Sequence, residues 1–89
     1  MAHRRTERVA KPPVKAFYGG KVFDMGYVGD DRKKQFNFAA MRISDNNAKG
    51  YVIDGTDVFY VTPYSRTSKR ILGDERATVL AQVEELERQ

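Results

Sequence analysis

Tyr51-Val52-Ile53 and Val58-Phe59-Tyr60-Val61 are β-prone runs with Asp54-Gly55-Thr56-Asp57 between them, and no other local feature constrains the chain so tightly. Asp-Gly between two such runs is a hairpin signal, because glycine takes the positive φ that a tight turn demands and so commits its flanks to antiparallel pairing. A lone hairpin is marginal in water, so further elements must extend it and cover it. Residues 14–18 and 21–23 predict a second hairpin about Gly19-Gly20, and residues 35–44 resume strand character after the polar loop Gly29-Asp30-Asp31-Arg32-Lys33-Lys34. In that stretch Phe36 and Phe38 share one parity and Met41 and Ile43 the other, with Ala39-Ala40 between. A strand so patterned either carries a bulge near Ala39-Ala40 or presents different apolar pairs on its two faces.

Asp45-Asn46-Asn47-Ala48-Lys49-Gly50 reads as the loop that ends this third strand, and Pro63 closes the last one. From Asp74 the pattern turns helical: Asp74 is placed to cap, Glu75 suits the positive end of the dipole, and Ala77, Leu80, Val83 and Leu86 recur every three residues beside Val79. Gly73 marks the helix start or a kink. The prediction is an α+β fold, a small antiparallel five-stranded sheet or partly open barrel, OB-like or SH3-like, with a C-terminal helix. Residues 1–13, polar, basic and closed by Pro12-Pro13, read as a flexible arm, and residues 14–89 as the single domain.

Eighty-nine residues, 40% hydrophobic and 31% charged, suffice for one hydrophobic core and are too apolar for a wholly disordered chain. No apolar run approaches the roughly 18 residues that span a bilayer, and the N-terminus lacks the apolar stretch of a signal peptide, so the expected address is cytoplasmic. There is no cysteine, which excludes disulfides and thiolate metal sites. The net charge of +4 is unevenly spread. Residues 1–21 carry a net +5 and residues 65–73 a net +3, whereas residues 74–89 carry a net −3. Such polarity suits a polyanion at the basic part and a different contact, or only solvent, at the acidic helix.

An enzyme of this size needs a recognisable set of groups with an oriented partner. His3 is the only histidine and lies in the arm, and Asp54 and Asp57 are spaced as a hairpin turn requires. Neither a phosphate-binding glycine loop nor a metal-ligand cluster is present in the sequence, so the reading is non-catalytic, without cofactor or metal. The stretch with most chemical character is Lys33-Lys34-Gln35-Phe36-Asn37-Phe38. On a strand, Phe36 and Phe38 would lie side by side about 7 Å apart, where unstacked bases can rest while the lysines meet phosphates. The competing reading puts both rings in the core.

Lys34-Gln35-Phe36-Asn37-Phe38 resembles the first ribonucleoprotein motif of cold-shock domains, and Asp57-Val58-Phe59-Tyr60-Val61 resembles the second, in the same order. Gly20-Lys21-Val22 is similar to the family's first-strand element, and Ser65 lies where a serine often follows the second motif. The resemblance covers about residues 20–65. It implies an oligonucleotide-binding barrel, a single-stranded RNA or DNA ligand, and Phe36, Phe38 and Phe59 as stacking residues. The hydroxyl-rich basic run Ser65-Arg66-Thr67-Ser68-Lys69-Arg70 is either a phosphate-contacting segment or a solvated connector. The sequence-based expectation is therefore a nucleic-acid-binding module using Lys33, Lys34, Phe36, Phe38, Phe59, Arg66, Lys69 and Arg70. The alternative is a small protein-interaction or inhibitor module, of phage or mobile-element type, that docks on a host protein through its sheet edge or acidic helix. Exposure of the three phenylalanines beside a basic surface would favour the first, and their burial the second. Oligomeric state is not readable from the sequence.

Overall fold

In the computed structural model, which describes residues 12–63 and 68–89, both glycine-centred turns close two-stranded hairpins. Strand β1 (Lys15–Tyr18) pairs with β2 (Lys21–Asp24), Tyr18 opposite Lys21, across Gly19 and Gly20, which both take positive φ (61° and 75°). That is the two-residue turn whose twist matches paired strands. Strands β3 (Gly50–Asp54) and β4 (Asp57–Val61) meet with Asp54 opposite Asp57, and at this turn Gly55 takes positive φ. Antiparallel pairing of β1 with β3 joins the hairpins, and β5 (Lys69–Ile71) adds to the free side of β4. The resulting sheet has the order β2-β1-β3-β4-β5, antiparallel throughout and open at both edges. It does not close into a barrel.

The five-stranded antiparallel sheet and the C-terminal helix are as expected, but the strand membership differs. Residues 35–44 are not a strand; they lie within helix α1 (Arg32–Asp45). The Asp31 carboxylate accepts from the backbone N–H of Lys33 and Lys34 (3.0 and 3.3 Å) and so starts the helix. Phe36, Ala39, Ala40 and Ile43 then fall at i, i+3, i+4 and i+7, a helical stripe. The parity conflict between Phe36 with Phe38 and Met41 with Ile43 thus needs no bulge, because it is what a period of 3.6 residues produces. The fifth strand is β5 instead, in a stretch that reads from the sequence as a phosphate-contacting segment or a solvated connector.

Both faces of the sheet are covered by helix. On one, Ala39 and Ile43 of α1 pack with Val14, Ala16, Met25, Val52 and Val61. On the other, Val79 and Val83 of α2 (Gly73–Arg88) pack with Ile53, Val58 and Ile71. Central strand β3 is therefore apolar at consecutive positions, since each of its faces meets a helix. Gly50 is the point of closest approach: a Cβ there would stand 2.6 Å from the Phe17 carbonyl oxygen and 2.7 Å from Tyr18 Cβ. Helix α2 begins at Gly73, two residues past the end of β5, and Asp74 does not cap it; Leu72 holds the cap position without a side-chain bond. Positive φ at Gly73 (65°) makes the abrupt reversal from strand to helix and carries Asp74 into the first turn, where its carbonyl accepts from Thr78 Oγ1. Among the described residues no helix is long and apolar enough to cross a membrane.

Candidate nucleic-acid interface

The expected aromatic platform is not formed. Two positions apart on α1, Phe36 and Phe38 point in directions roughly 200° apart instead of sharing a face. Phe36 turns inward, half-buried, and meets half-buried Phe59 edge to face with ring centroids 5.0 Å apart and planes at 82°. Phe38 turns outward and is 40% exposed. Lys33 and Lys34 are exposed in the first turn of α1, and Arg70 projects from β5 beside Phe59, paired to Asp57 at 3.0 Å. Lys69 is exposed on the opposite face of β5. Arg66 lies outside the described residues. The structure thus brings Phe36 and Phe59 together under α1 with Arg70 exposed beside Phe59, and leaves Phe38, Lys33 and Lys34 on a different surface from Lys69.

The face covered by α2 carries a different aromatic set. Phe17 of β1 stands opposite Tyr51 of β3, and Tyr51 opposite Tyr60 of β4, so three rings cross three neighbouring strands in one row. Phe17 and Tyr51 are stacked with centroids 6.1 Å apart and planes at 26°; Tyr51 and Tyr60 are tilted at 49° with centroids 5.4 Å apart. All three are half-buried, because α2 covers the adjacent row, Ile53, Val58 and Ile71, and only flanks this one. The next position in the row is Lys69, the register partner of Tyr60. Among the described residues Lys69 has no ion-pair partner.

Strand direction also sorts the charges. Lys21, Lys49 and Lys69 stand at the end of the sheet where β2, β3 and β5 begin. Asp24, Asp54 and Asp57 stand at the other. There Arg32 donates to Asp54 Oδ1 through Nη2 and Nε (2.5 and 3.0 Å) and to the Pro12 carbonyl (2.6 Å), while Arg70 serves Asp57. The two aspartates, cross-strand neighbours of like charge, are each held by their own arginine beside the hairpin turn. Arg42 is likewise engaged, its guanidinium 4.1 Å over the Phe23 ring and its Nε donating to the Tyr18 hydroxyl at 3.0 Å.

The row Phe17, Tyr51, Tyr60 and Lys69 offers apolar ring surface, two phenol hydroxyls and an ammonium unpaired among the described residues, the chemistry by which sheet surfaces hold unstacked bases and phosphate. Sequence reasoning missed it, although one link was available. A two-residue connection through Gly55 and Thr56 places Tyr51 opposite Tyr60 by counting alone. Phe17 joins them only through the pairing of β1 with β3, across a separation in which a whole helix intervenes. Among the described residues no group of three or more histidine, cysteine or carboxylate side chains is placed to hold a metal ion. Compared with known proteins, the chain matches no family model, no curated protein and no solved structure.

Proposed function

We propose that this protein is a non-catalytic module that binds single-stranded nucleic acid across the α2-side face of its sheet. The aromatic row that ends on Lys69 carries the reading. Bases lie against Phe17, Tyr51 and Tyr60, and phosphates meet Lys69 and the lysines at the same end of the sheet. Charge supports it. Residues 12–63 and 68–89 balance eleven basic against eleven acidic side chains, so the chain's net +4 is the excess of Arg4, Arg5, Arg8, Lys11 and Arg66 over Glu7. The basic excess ahead of β1, with Arg66 in the β4–β5 connection, suits the sequence-independent part of polyanion attraction. Arg66 sits in the connection between Tyr60 and Lys69, next in sequence to the row's basic end.

Fluorescence-polarisation titration with labelled single-stranded and duplex oligonucleotides, each at low and high salt, tests the proposal. Binding to the single strand that weakens as salt rises supports it, and no binding at low salt refutes it. A second reading rests on the groove of about 600 Å³ between the β1–β2 hairpin and α2, lined by Phe17, Gly20, Thr78, Gln82, Glu85 and Leu86. Its largely apolar lining, with Glu85 the one ionised group, suits an apolar protein segment better than a phosphate backbone. That protein-interaction reading takes over if no oligonucleotide binds.

A further inference from the structure

Helix α1 buries Gln35, Ala39 and Ile43 and turns a second stripe outward, Lys34, Phe38, Met41 and Asp45. All four are exposed, Phe38 at 40% and Met41 at 52%. At 100° per residue the four lie within an arc of about 60°, whose centre is turned about 130° from that of the buried stripe. Two large apolar side chains on a solvated helix face, bracketed by one cation and one anion, form a pattern with a particular symmetry. Lys34 and Asp45 are equidistant from the point between Ala39 and Ala40, and so are Phe38 and Met41. Reversing the helix direction therefore exchanges cation for anion and phenylalanine for methionine.

A second feature is independent of that spacing. Lysine in a first turn and aspartate at a last residue each oppose the dipole of their own helix, which favours negative charge at its start and positive charge at its end. The first turn of α1 holds no acidic residue. Among the described residues neither Lys34 nor Asp45 has an ion-pair partner. An antiparallel neighbour of the same sequence corrects both: it brings a C-terminal dipole end and an aspartate to each lysine, and an N-terminal end and a lysine to each aspartate.

We infer that two copies of this chain pair about a two-fold axis through the outer face of α1. Phe38 of each packs on Met41 of the other, and Lys34 of each bridges to Asp45 of the other. The contact is isologous, so the single patch serves both partners and the assembly closes at two. Two apolar side chains per copy fall well short of the roughly 800 Å² per partner of a stable complex, so the dimer forms weakly, with a dissociation constant on the order of 0.1 mM. The aromatic row lies on the far side of the sheet from α1, so pairing leaves it open in both copies. The inference does not depend on what the row binds.

Sedimentation equilibrium on the full chain, from about 10 µM to about 1 mM, reads the association. The wild-type protein should move from monomer to dimer over that range, and more salt should weaken the dimer. Lys34→Asp sets carboxylate against carboxylate and Asp45→Lys sets ammonium against ammonium, so each variant alone should lose association by at least about tenfold. Mixing the two variants restores both ion pairs in a heterodimer, and the mixture should associate as the wild type does. Unchanged thermal melts of the two variants exclude unfolding as the cause. A wild type that stays monomeric throughout, single variants that associate normally, or a mixture that stays monomeric would each overturn the inference.

Discussion

Gln35 is a buried polar residue of the core, 4% exposed, and its amide ties three segments together. Oε1 accepts from the Val14 backbone N–H at 2.9 Å, and Nε2 donates to the Gly29 carbonyl. Gln35→Leu would leave a buried N–H without a partner, at a cost of about 1–3 kcal/mol in urea denaturation. Nothing local marks the residue, since its partners lie 21 and 6 positions away. Gly50 is similarly hidden: it closes a loop rich in turn-forming residues, yet its importance is the backbone beside it. Gly50→Ala drives a methyl group into the Phe17 carbonyl, which the sheet cannot move, and should cost about 1–3 kcal/mol by the same measurement. Asp31→Ala removes the two capping contacts of α1 and should cost about 1 kcal/mol.

Among elements, helix α2 was legible because its apolar positions keep a helical spacing in a stretch with no competing period. Val79 and Val83, four apart, are the two it buries, with Leu80 and Leu86 half-buried beside them and Ala77 left outside. Val83→Asp places an unpaired carboxylate against Ile53, Val58 and Ile71. The penalty is large beside the 5–15 kcal/mol that typically separates a folded domain from its unfolded chain, so thermal unfolding should lose its cooperative transition near room temperature. Helix α1 was misread for a physical reason: Phe and Ile favour strands, and Asp31 offers a turn and a helix cap with equal ease. What decides is the hydrophobic face of the sheet above β1 and β3, which a strand inserted at residues 35–44 would leave bare.

For the molecule as a whole, binding and folding should separate along the two faces of the sheet. Tyr60→Ala should weaken oligonucleotide binding by about 1–3 kcal/mol, whereas Phe38→Ala, on the far side of α1, should leave affinity unchanged. Equal losses from both, measured by polarisation titration with the melting temperature as a control, would show that the row is not the contact. Arg66→Ala with Lys69→Ala should lower affinity and reduce the slope of log K against log salt by about 0.7 per phosphate contact removed, without changing the melt. An unchanged slope would make that segment a connector.

The sequence by itself determined what depends on neighbours in the chain: two hairpins from Gly19-Gly20 and Asp54-Gly55, the C-terminal helix from its spacing, and the uneven charge. Turn geometry and helical period are local, and a handful of residues suffice to specify them. Tertiary structure decided the rest. Residues 69–71 become a strand only because β4 has a free edge for them to pair with, and residues 32–45 become a helix because the sheet needs cover on that face. Phe17, Tyr51 and Tyr60 become one row because β1 pairs with β3 across an intervening helix. Each of these outcomes is set by long-range pairing, whose free energy comes from surfaces that do not exist until the sheet has assembled.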